Sequence, residues 1–330
     1  MRLILAMAIE TARAGSLTAA LICAAAALLA LGGAVSGRLD VLAHFAPVWL
    51  AGGLVAIAAH VLLRPAPTPA LLIAGLVAVA ASLVLIGPEA IAALAQTRVS
   101  PGPGAVKIVQ FNLWERNDDP KATADWILSE NPDVIALEEA DDAPSSILQS
   151  LAKAYPYRTT CDSAPHCSTV VLAKAAPSAI GGLDVAAGGG LRIPAVWARF
   201  GEGESAYTVV AAHYAWPIPP AYQAAQRERL AALLDTMPKE SVILAGDFNL
   251  TPWSFALRRQ DRRFGLERRS RAIFTWPAAH FTRLALPAPF PFLAIDQIYA
   301  GRAWDTVSVK RGPKLGSDHY PLVAVLRRLG

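Results

Sequence analysis

The sequence predicts an α/β domain built from packed sheets, preceded by about three membrane-spanning helices. Three observations predict it. Charge is nearly confined to the part of the chain after Pro101. Beyond that point strand-like and helix-like segments are mixed, with hairpin-like strand pairs late in the chain, which points to packed sheets rather than one doubly wound parallel sheet. Finally, polar residues recur at the ends of successive strand-like runs.

The 330 residues are 54% hydrophobic and 17% charged, against about 45–50% and about 25% in soluble domains. Of 26 acidic residues only Glu10, Asp40 and Glu89 precede Pro101, and of 30 basic residues only Arg2, Arg13, Arg38, Arg64 and Arg98 do. This excludes a largely disordered chain and an ordinary all-soluble one. The net charge of +4 is too mild to argue for a nucleic-acid partner by itself.

The apolar part, residues 1–98, reads as a membrane anchor. Stretches 16–35, 41–63 and 70–88 each approach the ~20 residues that cross a bilayer as a helix. Breaks fall at Ser36-Gly37-Arg38 and at residues 64–69, where Pro65, Pro67 and Pro69 cannot continue a helix. A buried helical bundle is an alternative, as is a cleaved signal peptide, which would leave two stretches unexplained. Arg2, Arg13 and Arg64 fall on one side and Arg38, Arg98 and the domain on the other. The positive-inside rule then favours a cytoplasmic N-terminus and a domain on the outer side of a bacterial-type cytoplasmic membrane. Cys161 and Cys167, close together in the polar loop TTCDSAPHCST, suit a small disulfide in an oxidising compartment. Free thiols, or a metal pair with His166, are the alternatives.

Residues 99–105 form a linker and residues 106–330 the domain. VKIVQF is a buried strand ending at Asn112. Asp118 or Asp119 caps a helix that begins at Pro120 and runs to about Glu130. VIAL is the next strand, residues 144–154 a second helix, and TVVLAK a strand. A Gly-rich, loop-like stretch follows to Gly190. Residues 196–200 and 207–212 pair around GEGE, residues 220–235 form a helix, and SVILAG, AIDQIYA and YPLVAVL are strands.

The residues at these strand ends carry the chemistry. They are Asn112, Glu138-Glu139, His213, Asp247 with Asn249, Asp296, and Ser317-Asp318-His319. One polar residue after a strand is ordinary, whereas six successive sites are not. Carboxylates, carboxamides and histidines, without a nucleophilic Ser or Cys motif, suit a hard cation and a phosphate, attacked by activated water.

FNLW, PDVIALEE, AAHY, LAGDFN, IDQI and GSDHYP together resemble the ordered motifs of the endonuclease/exonuclease/phosphatase superfamily. Its members include pancreatic deoxyribonuclease, the abasic-site endonucleases, neutral sphingomyelinases and inositol polyphosphate 5-phosphatases. The resemblance covers about residues 106–326. It implies a four-layer α/β sandwich, two packed mixed sheets flanked by helices, and a Mg²⁺- or Mn²⁺-dependent hydrolase of phosphoester bonds. It also implies roles. Asn112, Glu139 and Asp318 would hold the metal, Asn112 at the ion or at an adjacent phosphate oxygen. Asp247 and Asn249 would position the attacking water and the phosphate, and His213 would contact phosphoryl oxygens. His319 would be oriented by Asp296, with either Asp247 or His319 as general base. The family usually has Gln where this chain has Glu138, which either adds metal affinity or faces solvent, the latter being the preferred reading. Asn249-Leu250-Thr251 fits a glycosylation sequon, but a strand-end site residue is a poor acceptor.

Two further features bear on substrate. Arg258, Arg259, Arg262, Arg263, Arg268, Arg269 and Arg271 form a basic run, either a grip for a nucleic-acid backbone or anionic membrane, or a solvated face. Trp216, Trp253, Phe255, Trp276 and PAPFPF supply either an apolar rim or core packing. The expected function is hydrolysis of a phosphate ester or pyrophosphate by a membrane-anchored enzyme. A lipid-linked phosphate is favoured by proximity to the bilayer, and the layout resembles membrane-anchored relatives associated with glycopeptide resistance, which would imply a polyprenyl phosphate. A nuclease acting on DNA or RNA is the alternative within the superfamily, and a non-catalytic membrane binding protein the alternative from another class. No obligate protein partner is implied.

Overall fold

A computed structural model describes residues 2–62, 69–140, 143–161, 168–183, 194–278, 280–281 and 286–329. The chain divides into two compact units, Met1–Leu94 with Pro252–Arg258, and Ala95–Thr251 with Arg259–Gly330.

The first unit holds helices α1 (Arg2–Leu31), α2 (Gly37–Ala43), α3 (Ala46–Leu62) and α4 (Pro69–Leu94), with a 3-10 turn at Gly32–Ala34. Two segments, Glu10–Ala34 and Pro69–Leu94, are long and apolar enough to cross a membrane, or three if the pair α2 and α3 is one span. The expected middle helix over 41–63 is broken, because α2 and α3 meet at a 56° bend. The proline-rich break at 64–68 lies outside the described residues. Ala20, Ala24, Ala56, Leu71, Ala74 and Ala78 form the interior of this unit. Leu21, Ile22, Leu28, Leu29, Val55, Leu83, Val84 and Ile91 face outward. Small residues inside and large apolar ones outside are how helices pack when the surrounding medium is lipid.

The second unit is a sandwich of two six-stranded mixed sheets. Its strands are β1 (Ala105–Asn112), β2 (Val134–Glu138), β3 (Tyr157–Thr159), β4 (Val170–Ala173), β5 (Ala179–Leu183), β6 (Ala195–Phe200), β7 (Tyr207–His213), β8 (Val242–Asp247), β9 (Glu267–Arg268), β10 (His280–Phe281), β11 (Leu286–Pro287), β12 (Asp296–Ala300), β13 (Trp304–Arg311) and β14 (Leu322–Arg328). The first sheet runs β13-β14-β1-β2-β4-β3 and the second β5-β6-β7-β8-β12-β9, with β10 and β11 as a separate pair. Helices α5 (Pro120–Glu130), α6 (Ser146–Leu151), α7 (Pro220–Asp235) and α8 (Phe255–Phe264) accompany them. Asp119 caps α5 by accepting from the Ala122 amide at 2.9 Å, with Pro120 in the first turn. The second helix is shorter than the expected 144–154. Strands β3, β5, β9, β10, β11 and β13 were not expected. The Gly-rich stretch 184–190 lies outside the described residues. The expected linker is tied down at Val99, whose amide donates to the Thr306 carbonyl at 2.9 Å.

The core between the sheets fixes the site. Val106 and Ile108 of β1, Val134 and Ala136 of β2, Val209 and Ala211 of β7, Ile243 and Ala245 of β8, and Ile298 and Ala300 of β12 all belong to one apolar cluster. Their period of two is that of a pleated strand with one face inward. Val109, Phe111, Ile135 and Leu137 point the other way and pack with Ile127 of α5 and Ile147 and Leu151 of α6. Extending each inward stripe by the same period reaches Gln110 and Asn112, Glu138, His213, Asp247 and Asp296. The site is therefore the end of the inter-sheet core, where apolar residues give way to polar ones on five neighbouring strands.

Candidate active site

Register brings the polar ends together. Asn112 lies opposite Glu138 across β1 and β2. His213 lies opposite Asp247 across β7 and β8, and Asp247 opposite Asp296 across β8 and β12. Gly246 allows the close pairing of β7 and β8, since a Cβ there would stand 1.8 Å from the Ala212 carbonyl oxygen. Three residues adjoining the strand ends, Trp114, Glu139 and Asn249, have φ of 60°, 55° and 50°. Non-glycine residues rarely adopt this left-handed backbone, and such conformations cluster at functional sites.

Asp247 is the hub. Its Oδ1 accepts from the Asn249 amide at 2.9 Å. Its Oδ2 accepts from Asn112 Nδ2 at 3.1 Å, and lies 3.6 Å from His213 Nε2 and 3.7 Å from His319 Nε2. Asn112 Nδ2 also donates to Glu139 Oε1 at 3.0 Å. Its Oδ1 accepts from the Trp114 amide at 3.0 Å, which sets the orientation of the carboxamide. Glu139 Oε1 is 4.0 Å from His213 Nε2. Asn249 is anchored through Nδ2 on the Tyr214 carbonyl at 2.9 Å. The side chains of His213 and Glu139 are 18% and 27% exposed, whereas those of Asp247 and His319 are 2% and 6% exposed. Solvent and substrate thus reach the cluster past His213 and Glu139.

Behind Asp247 lies a buried chain. Asp296 Oδ2 is 2.8 Å from His319 Nδ1, and Asp296 Oδ1 accepts from Gln110 Nε2 at 2.8 Å. Gln110 Nε2 also donates to Glu138 Oε2 at 2.8 Å. Glu138 is fully buried. The expectation that it faces solvent is corrected here: it continues the inward stripe of Val134 and Ala136. Gln110 was not among the expected site residues, although it precedes Asn112 by two and so shares its face. Ser317 ties the last motif to the first, donating through Oγ to the Asn112 carbonyl at 2.7 Å while accepting from the His319 amide at 3.0 Å. Asp318 Oδ2 accepts from the Trp276 indole at 3.1 Å.

Burial pushes the Asp247 carboxyl up to about 6, against the opposing pull of the His319 charge. Burial alone would lower His319, but the Asp296 and Asp247 carboxylates outweigh it and hold the imidazole well above 6.5. Burial, with the Asp296 charge adding to it, raises the Glu138 carboxyl well above its ordinary value. Asp247, Asp296 and His319 each place one ligand-capable atom within 4.8 Å of the others'.

Part of the basic run is engaged by partners within the chain. Arg263 pairs with Glu228 and Asp235, and Arg268, 3% exposed, with Asp261. Arg269, 6% exposed, donates to the carbonyls of Gly301 and Trp304. Of the expected apolar rim, Trp253 is buried, and Trp276 packs edge-on against Phe292. Trp216, Ile218 and Phe290 are exposed. Cys23 is a free thiol and Cys161 is disulfide-bonded. The expected partner of Cys161, Cys167, and the neighbouring His166 lie outside the described residues.

Comparison with known proteins agrees with this geometry. The profile of the Endonuclease/Exonuclease/phosphatase family matches residues 109–319. No curated protein matches the sequence. Among solved structures, sphingomyelinase C from Streptomyces griseocarneus shares 17% identity at a TM-score of 0.50, covering 67% of this chain and 99% of its own. A mutant of beta toxin from Staphylococcus aureus, solved with bound magnesium ions, shares 16% at 0.52, covering 66% and 98%. The D. rerio protein TDP2, in complex with a single-strand DNA product, shares 13% at 0.51, covering 68% and 99%. These likenesses show a common fold. The chain belongs to the endonuclease/exonuclease/phosphatase family, and is a hydrolase of phosphoester bonds.

Proposed function

We propose that this chain is a membrane-anchored, divalent-metal-dependent phosphoesterase whose catalytic domain lies outside the cytoplasmic membrane and acts on a lipid-linked phosphate or pyrophosphate. The observation that carries the chemistry is the convergence of two imidazoles, a carboxamide and the Glu139 carboxylate around Asp247 Oδ2.

The donor set fits Mg²⁺ or Mn²⁺. Oxygen ligands suit these ions, and the carboxyls of Glu138, Glu139, Asp247, Asp296 and Asp318, all buried or half-buried, stand at the strand ends. Both oxygens of Asp296 are already engaged by Gln110 and His319. The ion would therefore be held by Glu139, with Asp318 as a further carboxylate; Asn112, whose Oδ1 accepts from the Trp114 amide and whose Nδ2 faces Glu139 and Asp247, would join the set only with its carboxamide turned over. When bound, it would polarise the phosphoryl group and offset its charge. Asp247, ionised at neutral pH with a pKa of about 6, is the general base that takes a proton from the attacking water. His319, kept as imidazolium by Asp296, donates hydrogen bonds to phosphoryl oxygens. His213, on the solvent side of Asp247, contacts them from the other flank. Asn249 orients water and phosphate.

Three observations favour a lipid-linked substrate. The first unit carries two or three helices able to cross a membrane. Trp216 and Ile218, three and five residues beyond His213, are exposed apolar side chains. Of the basic run that would favour nucleic acid, Arg258, Arg263, Arg268 and Arg269 are engaged by carboxylates and carbonyls of the chain itself. The disulfide at Cys161 supports an oxidising compartment.

The test is direct. Purified full-length protein should release phosphate or cleave a phosphodiester only with Mg²⁺ or Mn²⁺. Asp247→Ala and His319→Ala should each abolish turnover while the fold persists. Full activity in either variant, or in excess chelator, would overturn the reading.

A further inference from the structure

The segment that follows the Asp247–Asn249 motif is not completed by its own neighbours. Pro252–Arg258 belongs to the unit formed by the N-terminal helices, and within that unit it meets a buried carboxylate. Helix α8 begins at Phe255, and its first-turn amides lack intrahelical acceptors, as at any helix start. Ser254 serves one of them, accepting the Leu257 amide on Oγ at 3.2 Å, while its carbonyl takes the first bond of the helix ladder, from the Arg258 amide at 3.3 Å. The other two go to Asp40. Its Oδ1 accepts from Phe255 at 2.8 Å and its Oδ2 from Ala256 at 2.6 Å. Asp40 is 3% exposed. A carboxylate at this end of a helix also meets the positive end of the helix dipole.

Three further contacts hold the same segment. The Trp253 indole donates to the His44 carbonyl at 3.0 Å, with the ring itself 1% exposed. The Arg258 guanidinium donates to the Leu85 carbonyl and stacks over the Phe255 ring, 5.1 Å from its centroid. Gly33 makes room for this arrangement: a Cβ there would stand 2.7 Å from Asp40 Oδ1 and 2.8 Å from Phe255 Cδ2. Alanine at 33 would therefore push the carboxylate away from the helix start.

Upstream, the chain has almost no slack. Only Leu250, Thr251 and Pro252 separate Asn249 from Trp253. Leu250 and Thr251 are buried, and Asn249 holds a left-handed backbone at φ 50°. We propose that Asp40 is a positioning residue for the reaction: by completing the start of α8 it holds Pro252–Arg258, and through it the strained loop carrying Asn249, so that the N-terminal helices are part of the catalytic apparatus and not only a tether. This rests on the functional reading above for the identity of the loop, while the structural coupling stands by itself.

The experiment uses full-length protein in detergent and a small soluble substrate, bis(4-nitrophenyl) phosphate with Mg²⁺, so that proximity to a bilayer plays no part. Asp40→Ala should lower kcat by about tenfold or more with KM nearly unchanged, as misplacing a catalytic group does. Asp40→Asn, which keeps one acceptor, should recover part of the loss. Gly33→Ala should reproduce the defect with the carboxylate intact. Hydrogen exchange should show the Phe255 and Ala256 amides losing protection in Asp40→Ala while β8 keeps its own. Wild-type kcat in both Asp40→Ala and Gly33→Ala would overturn the proposal. So would unchanged protection at residues 255–256, or loss of protection spreading through β8, which would mark general destabilisation. If Asp40→Ala does not accumulate as folded protein, Asp40→Asn and Gly33→Ala decide by the same kcat-against-KM split. A wild-type protein inactive on every phosphoester would instead count against the functional reading, and the exchange measurement would still judge the coupling.

Discussion

Asp247→Asn should reverse its effect on stability between acid and mildly alkaline pH. Burial raises the folded-state carboxyl of Asp247 from its ordinary 3.8 to about 6. Because the folded value lies above the unfolded one, ionisation costs the folded state. The cost is absent below about pH 4, grows through pH 4–6 and is complete above it. At ~1.4 kcal/mol per pH unit it amounts to about 3 kcal/mol. Asparagine removes that charge. It keeps the acceptor for the Asn249 amide but turns an amide nitrogen toward Asn112 Nδ2, which now donates to Asp247 Oδ2 at 3.1 Å. Relative to the neutral carboxyl, losing that hydrogen bond costs about 1.5 kcal/mol. In chelator, the variant should be more stable than wild type by about 1.5 kcal/mol at pH 8 and less stable by a similar amount at pH 4. For a domain of this size each kcal/mol moves Tm by about 2–4 °C, so thermal scans at the two pH values should differ in sign by several degrees. Turnover should fall by at least ~10²-fold, the usual worth of a general base. A variant less stable than wild type at both pH values, by the same margin, would refute the idea that ionising the buried Asp247 costs the folded state.

Other expectations are simpler. Glu138→Gln should leave turnover and Tm near wild type, because burial disfavours the charged form of Glu138 and glutamine matches it in shape. Glu138→Ala should cost about 1–3 kcal/mol by leaving the Gln110 donor without this acceptor; a large activity loss in the glutamine variant on steady-state assay would show that the carboxyl itself is needed. Arg269→Met should destabilise by about 2–4 kcal/mol in denaturant titrations, since it strips the Gly301 and Trp304 carbonyls of a donor, and should leave the salt dependence of turnover unchanged. Cys161→Ser should lower stability by about 2–3 kcal/mol under oxidising conditions and by nothing measurable in reductant, compared by thermal scans with and without dithiothreitol.

Where a residue's chemistry followed from strand periodicity, the sequence was readable. The inward stripes of VKIVQF, VIAL, TVVAA, VILAG and AIDQIYA lead to Asn112, His213, Asp247 and Asp296, and register then sets three of these side by side. The same rule was available for Gln110 and Glu138 and was not carried far enough. A glutamate beside a metal-binding motif looks solvent-bound until Val134 and Ala136 are seen to put it on the core side. Burial disfavours its charged form, and the Gln110 amide supplies a hydrogen bond there. The basic run misled for a different reason. Sequence shows seven arginines together, but not that Asp261, Glu228, Asp235 and the β12–β13 carbonyls stand where their guanidiniums reach. Strand β13 and the bend between α2 and α3 had no local signature and depend on tertiary packing.

Asp40 shows the same limit from the opposite side. One of three acidic residues in the apolar third of the chain, it reads in sequence as a loop residue between two hydrophobic stretches. Its acceptor role becomes visible only when residues 215 positions later along the chain bring two amides to it. Burying an ionised carboxylate is costly unless it is hydrogen-bonded, so the apolar environment around Asp40 makes those amides obligatory rather than optional partners. That asymmetry bears on function. A flexible tether could be exchanged for any other hydrophobic anchor without changing chemistry, whereas an anchor that completes the start of α8 cannot. Replacing the N-terminal helices with an unrelated membrane span should therefore preserve localisation and lose turnover on a soluble substrate, separating tethering from positioning within one comparison.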